Sequence, residues 1–415
     1  MTSRERVLMA LNHQEPDRVP KDLGSSVVAG IHCETLHKLR AKLGLEERII
    51  KMADPTLMLG YVDDDIRQAL GLDIVCLYNY HSPFGYNNDT WKEWTLPRGL
   101  KVLVGEGFNT VTGDDGYIYA YPEGGNIAKA PSMRMPIDGY YFDNIDRQKN
   151  LEAHEFNAKN DYARDFTLLS DAACKYLERE SSRLRNDTDC AVFGSLFPGC
   201  FGDFFLIPAP WLDKPEGVRN PEDWMMAHFT EPNYIKECFA MQLEVGLKNL
   251  ERYAQAVQDR IDIIGINGTD FGMQKSLMIS PDTYREFYKP IHKQINDWVH
   301  KHTNWKTFNH TCGFIEPLIE DFIEAGFDIL NPVQLSAEGM DASALKEKYG
   351  SRIAFWGAGA NPQSTMARGT PEQVLAETSK NVEILSKGGG LILGNVHCIQ
   401  YGTPPENIIA LFSAC

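Results

Sequence analysis

The sequence predicts an α/β fold, a (β/α)8 TIM barrel, and two observations lead to it. Short apolar runs of β type alternate along the chain with longer segments of helical spacing, and there are eight such runs. The runs are almost continuously apolar, which is typical of parallel strands covered by helices on both faces. They comprise residues 18–24, 73–78, 190–196, 262–270, 306–313, 327–334, 353–360 and 391–397. Eight such units favour a closed barrel, and a doubly wound open sheet is the alternative.

The helical segments are marked by an apolar stripe and by the chemistry of their first turns. Over residues 281–302, apolar side chains recur at steps of three and four. Ser280 can cap this helix, Pro281 suits its first position, and Asp282 complements the helix dipole. A further helix over residues 3–11 is predicted to precede the first strand.

Two stretches interrupt the alternation. Residues 80–145 are rich in Gly, Asn, Asp and aromatic residues, and an Asp-Asp-Gly turn at 114–116 indicates a hairpin. We interpret this stretch as a β-rich insertion after the second strand. Residues 146–189 have helical spacing and are predicted to return the chain to the third strand. The chain is thus expected to be a single barrel domain, 1–415, with one insertion.

Composition restricts the class of partner. The 415 residues include 41 Lys or Arg and 57 Asp or Glu, which gives a formal net charge of −16. Such a chain repels nucleic acids and anionic membranes, so neither is an expected partner. Nine scattered cysteines do not suggest a disulfide framework, and the start of the chain lacks an apolar signal run, so we expect a cytoplasmic protein.

Polar residues of the kind used in catalysis follow several predicted strands. In a barrel of this type, reactive groups lie at the carboxyl ends of the strands. The sequence therefore predicts that these side chains meet at one end of the barrel. The candidates are Asp22, Asp270, His310, Cys312, Gln334, His397 and Cys398.

His310 and Cys312 form the most specific pattern. Residues two apart on a strand face the same way, so an imidazole and a thiol can bind one ion. Zinc accepts such ligands, and a catalytic zinc site needs only one more from the protein. His397 and Cys398 compete for that place, because neighbours on an extended strand point in opposite directions, and we favour Cys398 for its softness. The alternative is a His and a Cys that are simply packed and hydrogen-bonded, which is the commoner use of these residues.

Two carboxylates have alternative interpretations. Asp270 follows an apolar strand and precedes a capped helix, where it could orient a substrate or accept a proton. It could equally satisfy amides of its own loop. Asp22 is better explained by a salt bridge to Lys21 or Arg18 than by catalysis.

Several segments together resemble the uroporphyrinogen decarboxylase superfamily, and the likeness spans nearly the whole chain. The superfamily has a (β/α)8 barrel and includes both porphyrinogen decarboxylases and zinc-dependent, corrinoid-linked methyltransferases. The matching segments are residues 2–20, Asp-Phe-Gly-Met-Gln at 270–274 with Ser280-Pro281, His-Thr-Cys-Gly at 310–313, Asn-Pro-Val-Gln at 331–334, and residues 388–408.

The branch of the superfamily is indicated by what the chain has and lacks. Decarboxylases carry arginines just after the first strand to hold substrate carboxylates, whereas residues 23–31 here contain none. The methyltransferase branch has a His-x-Cys followed about eighty residues later by Cys, which corresponds to His310, Cys312 and, 86 residues further on, Cys398. Decarboxylases have a histidine in the region of His397, which leaves a second assignment for that part of the chain.

The resemblance implies a zinc-dependent methyltransferase that moves a methyl group between a corrinoid, carried on a partner protein, and a small thiol or methyl-ether substrate. His310, Cys312 and Cys398 would bind Zn²⁺. Asp270 and His397 are the catalytic candidates, and Asp22 and Gln334 the candidates for substrate binding. One alternative is a metal-free lyase like uroporphyrinogen decarboxylase, in which Asp22, Asp270 and His397 do acid–base work. Another is a non-catalytic protein that binds a corrinoid or small ligand. A homodimer is expected from base rates alone.

Overall fold

A computed structural model describes all 415 residues and confirms the predicted barrel. Eight parallel strands form one sheet in which each strand from the second to the seventh pairs with the next one along the chain, and the eighth pairs with the first. Each observed strand lies within one of the predicted runs and is shorter, because the run continues into a loop. Barrel strands 1 to 8 are Lys21–Asp22, Ile74–Leu77, Ala191–Gly194, Ile263–Asn267, Lys306–His310, Ile329–Val333, Ala354–Ala358 and Leu391–Gly394.

The barrel has a seam, because strands 1 and 2 are not joined by a hydrogen-bonded ladder. One backbone bond crosses it, from Asp73 N to Lys21 O at 2.9 Å. Side chains supply the other bonds. The buried Asp73 carboxylate accepts from Lys21 N and from the Arg18 guanidinium, and the Tyr78 hydroxyl donates to Gly24 O at 2.9 Å. The closure of the barrel at this point therefore depends on a few specific groups.

Large side chains fill the barrel interior. Phe193, Phe308 and Trp356 meet edge to face, with ring centroids 4.9 Å apart for Phe193–Phe308 and 5.3 Å for Phe308–Trp356. Such contacts are favourable for aromatic rings and fill the layer between the strands. The N-terminal helix Ser3–Leu11, found where it was predicted, packs its buried Val7 and Leu11 into the same cluster. The site must therefore lie at the opposite, carboxyl end.

Helices surround the barrel. The segment predicted as one helix over 281–302 is helical throughout but contains one π-turn, and Ser280 caps it by accepting from Thr283 N. No helix is both long enough and apolar enough to cross a bilayer. The helices are Ser3–Leu11, Val27–Ala29 (3₁₀), Cys33–Lys42, Asp64–Leu70, Pro122–Gly125, Ala158–Asp161, Asp171–Asp187, Pro221–Thr230, Pro232–Val257, Pro281–Thr283, Tyr284–Tyr288 (π), Lys289–His302, Glu316–Glu324, Ala342–Tyr349, Thr365–Arg368, Pro371–Leu385 and Pro405–Phe412.

Two small sheets lie outside the barrel. The first contains, in spatial order, Leu59–Gly60, Ile50–Asp54, Lys101–Gly105 and Trp91–Thr95. The second contains Asp143–Asn144, Met133–Pro136, Tyr117–Ala120 and Thr110–Thr112. The hairpin predicted at the Asp-Asp-Gly turn is present in the second sheet. The first sheet differs from expectation, because Ile50–Asp54 precedes barrel strand 2 and pairs in parallel with Lys101–Gly105. The additional β structure therefore draws on both sides of strand 2.

Candidate metal and substrate site

Three metal-ligating side chains meet at the carboxyl end of the barrel. His310 ends strand 5, Cys312 lies two residues later, and His397 follows strand 8. Their donor atoms all lie within 4.8 Å of one another. The Cys312 Sγ is 3.5 Å from His310 Nε2, and the two imidazole rings have centroids 5.4 Å apart. Two nitrogens and one sulfur are thus placed so that a single ion could contact all three.

The ring of His310 is held by a neighbouring strand. Its Nδ1 lies 2.6 Å from the Oδ1 of Asn331 in strand 6, and the Asn331 amide nitrogen donates to Trp356 O in strand 7. Because the amide nitrogen donates in that bond, the atom facing His310 is the oxygen Oδ1, which accepts a hydrogen bond from Nδ1–H of His310. Burial lowers the pKa of His310. The ring is therefore neutral, and the lone pair on Nε2 faces Cys312.

Asp270 lies beside this group, in the loop after strand 4. Its Oδ1 accepts a hydrogen bond from Cys312 N at 2.6 Å and is 3.9 Å from His310 Nε2. Its other oxygen accepts no hydrogen bond from the protein, and about a third of the side chain is exposed. Both interpretations from the sequence therefore have a physical basis: one oxygen fixes a loop amide and the other is available to a ligand.

In the structure the side chain that converges with His310 and Cys312 is His397, whereas the sequence analysis favoured Cys398. The Cys398 Sγ lies 3.0 Å from His397 Nδ1 and 3.1 Å from Gln400 Nε2. Its neighbour His397 is the residue whose side chain faces His310 and Cys312. Burial raises the pKa of the Cys398 thiol to about 12 and lowers that of His397 to about 4. Both residues lie beyond the end of strand 8, where the alternation of an extended strand does not apply. Their side chains are in contact, and the imidazole is the one that faces His310 and Cys312.

Asp22 is a buried structural carboxylate. It accepts from Trp356 Nε1 at 2.9 Å and from Ser25 Oγ at 2.7 Å, and only 1% of the residue is exposed. Burial raises its pKa to about 6. The salt bridge expected with Lys21 or Arg18 is absent, because both bases bond to other groups. Asp22 ties the first strand to the seventh. It does not line the cavity that lies at this end of the barrel.

Gln334 also acts on a loop. Its Oε1 accepts from Gly313 N at 2.9 Å, so it supports the turn immediately after Cys312. It is largely buried and does not line the cavity. The structure thus places Gln334 behind the donor group, as a support for the backbone that carries Cys312.

A cavity of about 480 Å³ opens above the donor group, and both His310 and His397 line it. Its walls come from the barrel loops and from the sheet containing Ile50–Asp54. Three carboxylates line it, those of Asp54, Asp203 and Asp270, and there is no Lys or Arg. The aromatic residues of the wall are Tyr78, Phe197, Phe205 and Trp211, and a third histidine is His81.

Asp203 is the residue of this cavity that sequence reasoning missed. It lies nine residues beyond strand 3, in a loop rich in Gly and Phe, so its position relative to a strand end gave little signal. Burial, together with the negative charge of Asp270, raises its pKa to about 7. A carboxylate followed by Phe-Phe in a long loop was the only available indication.

Comparisons with known proteins agree with this architecture. Residues 215–415 match the uroporphyrinogen decarboxylase (URO-D) family model. A 140-residue segment is 29% identical to the methylated-thiol–coenzyme M methyltransferase of Methanosarcina mazei, and the match covers 34% of each chain. The matching segment thus spans about a third of that relative. A solved structure of a methyltransferase from Methanosarcina mazei is 18% identical, covers 100% of this chain and 98% of the other, and gives a TM-score of 0.55. The barrel is therefore shared over the full length.

Proposed function

We propose that the chain is a zinc-dependent methyltransferase of the uroporphyrinogen decarboxylase superfamily, whose family model matches residues 215–415. It moves a methyl group between a corrinoid carried by a partner protein and a small thiol or methyl-ether substrate. The observation that carries the proposal is the convergence of His310, Cys312 and His397, of which the two histidines line the cavity.

The donor set suits zinc. Zinc binds imidazole nitrogen and thiolate sulfur tetrahedrally, and three protein ligands leave one position for a substrate atom. The zinc ion, when bound, acts as a Lewis acid that favours the thiolate form of a substrate thiol or polarises an ether oxygen. Neutral His310, held by Asn331, offers the lone pair that such an ion needs.

Cys312 is a neutral thiol here and would have to lose its proton to bind a cation. Burial and the nearby Asp270 raise the pKa of its thiol well above the ordinary value. A buried thiolate beside a carboxylate is unfavourable unless a positive charge compensates it. A divalent cation between Cys312 and the two histidines supplies that charge.

Asp270 has two tasks in this proposal. Through Oδ1 it holds the amide of Cys312 and so fixes the loop that presents the sulfur. Its other oxygen, free of protein donors, orients the substrate or accepts the proton that a thiol loses. Gln334 supports the same loop from the opposite side through Gly313 N.

The size of the cavity indicates which of the two reactants can bind inside it. A volume of about 480 Å³ is suited to a small molecule. A corrinoid is much larger and would have to approach the mouth of the cavity from outside. This supports a corrinoid delivered by a separate protein.

Porphyrinogen decarboxylation is disfavoured by charge. Val27 and Val28, from the segment where decarboxylases carry arginines, line the cavity here. An octa-anionic substrate would enter a space with three carboxylates and no basic partner, and burying unpaired anions is costly. A protein that only binds a ligand would have no need of the metal-ligating group.

Metal analysis tests the proposal directly. Protein purified after growth with zinc should hold about one zinc per chain and transfer methyl groups from methylcobalamin to a thiol. Cys312→Ser should reduce zinc below about 0.2 per chain and abolish transfer. Cys174→Ser, which alters a partly buried cysteine on the helix Asp171–Asp187, is the matched control and should keep the metal. Wild-type protein without zinc, or Cys312→Ser protein with full zinc, would overturn the proposal.

A further inference from the structure

We infer that the small substrate is a thiol, or its S-methyl form, that carries a positive charge such as a quaternary or protonated amine. The inference rests on the proposed function, because it takes the metal group as the place where sulfur binds. It adds to that function the charge of the part of the substrate that does not react.

The charges on the cavity wall are all of one sign. Asp54, Asp203 and Asp270 line it, while no Lys or Arg does. Opposite charges attract strongly where water is restricted, so these three carboxylates favour a cation and repel an anion in the part of the cavity that does not hold the metal.

Asp203 is the carboxylate best placed to meet such a cation. It is not engaged by any basic side chain, and its hydrogen-bond donors are backbone amides, among them Phe205 N to Oδ1 at 2.9 Å. Burial and the charge of Asp270 raise its pKa to about 7, so its negative charge is unfavourable without a cation. A ligand cation beside it would supply the missing partner.

Aromatic side chains complete the surroundings. Phe205 and Trp211 come from the same loop region as Asp203, and Tyr78 and Phe197 line the wall as well. The faces of aromatic rings attract cations, and quaternary ammonium groups bind to clusters of such rings. Carboxylate and ring faces together are a combination that recognises an ammonium group.

Asp270 lies between the donor group of His310, Cys312 and His397 and the region around Asp203. Asp270 Oδ1 is 3.9 Å from His310 Nε2, and the charge of Asp270 is felt by Asp203. A ligand whose sulfur meets the donor group can therefore reach Asp203 with a short chain. The relative matched above is named for coenzyme M, a thiol with an anionic sulfonate. The wall described here offers that sulfonate no basic partner.

Three thiols of similar length test the inference on the zinc-loaded protein. Thiocholine is cationic, 3,3-dimethylbutane-1-thiol is its uncharged isostere, and 2-mercaptoethanesulfonate is anionic. Calorimetry should show thiocholine binding about tenfold or more tighter than either of the others. Its quaternary nitrogen has no lone pair, so chelation of zinc cannot produce this preference.

Substitutions test whether the preference for thiocholine comes from the residues of the cavity wall. Asp203→Asn keeps an acceptor for Phe205 N and should remove most of the advantage of thiocholine while leaving the uncharged thiol unaffected. Asp297→Asn, at an exposed carboxylate paired with Lys293, should change nothing. Trp211→Leu provides a second test and should weaken thiocholine alone.

Tetramethylammonium separates this inference from the proposed function, because it has no atom that binds zinc. It should bind the metal-free protein and bind more weakly to the Asp203→Asn variant. Equal or tighter binding of the sulfonate, or no binding of tetramethylammonium, would overturn the charge preference even if zinc is present. A protein that takes up no zinc during growth with zinc, but still binds tetramethylammonium, would overturn only the proposed function.

Discussion

The side-chain oxygen of Asn331 lies 2.6 Å from Nδ1 of His310, and this contact determines which nitrogen of the ring faces Cys312. His310 ends strand 5 and is paired in register with Asn331 in the middle of strand 6, so the orientation of the imidazole is fixed by the sheet itself. A second residue that fixes the tautomer is a common feature of metal-ligating histidines. The group is therefore preorganised before any ion binds.

Replacing Asn331 by Ala should weaken zinc binding by about 10- to 100-fold, because the ring of His310 loses the contact that orients it. Competition with a chromogenic chelator measures this affinity. Asn381→Ala is the matched control, since Asn381 is also buried and donates to a barrel carbonyl, Ala358 O, away from the site. Equal zinc affinity in the two variants would contradict the role given to Asn331.

Substitutions of the two neighbours His397 and Cys398 show which of them is the third zinc ligand. His397→Ala should lose bound zinc, because it removes one of the three converging donors. Cys398→Ser should retain about one zinc per chain, because its sulfur lies outside that group. Elemental analysis of both proteins decides the matter. Zinc lost from Cys398→Ser and kept by His397→Ala would restore the assignment made from the sequence.

The buried Asp22 makes stability depend on pH in a defined direction. Its pKa is raised from an ordinary value of 3.8 to about 6, so the folded state binds more protons than the unfolded state between these values. Its contribution to stability therefore falls as the pH rises through that window. Asp22→Asn should remove this fall, and the stability of the variant relative to wild type should increase by on the order of 3 kcal/mol from pH 4 to pH 7. Urea unfolding at several pH values measures the difference.

Asp17 provides a control of opposite sign. It accepts from Arg6 Nε at 2.6 Å, and this bond lowers its pKa to about 2. Its stabilisation is therefore present above an ordinary carboxyl pKa and is lost as the pH falls through the range from 4 to 2. Asp17→Asn should become less stable relative to wild type as the pH rises. A parallel response of the two variants would show that the pH dependence has another origin.

A buried ion pair should be much more sensitive than an exposed one of the same geometry. Arg219 makes two hydrogen bonds to Asp165, at 2.7 and 2.8 Å, with both side chains 1% exposed. Asp165→Asn leaves a buried guanidinium without its counter-charge and should cost about 3–5 kcal/mol. The pair Arg352–Glu320 has the same two-bond geometry at the surface, so Glu320→Gln should cost less than about 1 kcal/mol. Denaturant unfolding compares the two.

The fold could be predicted because each level of the sequence agrees with it. Continuous apolar runs mark buried parallel strands, and the signals at Ser280 and at the Asp-Asp-Gly turn are local and chemically specific. The parallel pairing of Ile50–Asp54 with Lys101–Gly105 could not be found in this way. It joins segments separated by a whole barrel unit, and no local pattern records such a pairing.

The site was predictable only where its chemistry is concentrated in a short motif. His310 and Cys312 lie two residues apart and could be recognised together. The choice between His397 and Cys398 depends on how the chain turns after strand 8, which the alternation of an ideal strand does not determine. Asp203 lies in a loop far from any strand end, and the partner of Asp22 is Trp356, 334 residues away along the chain.

The seam between strands 1 and 2 is the place where we expect the barrel to open most easily. Each of these strands has a ladder on one side only, and few bonds join them: those of the Asp73 carboxylate and backbone and that of the Tyr78 hydroxyl. The backbone amides of the seam should exchange with deuterium sooner than those of strands 4 to 7, which are paired on both sides. The segment that follows strand 1 carries Val27 and Val28 into the cavity wall. We therefore expect loosening at the seam to displace this part of the cavity wall and to affect the rate at which a ligand enters.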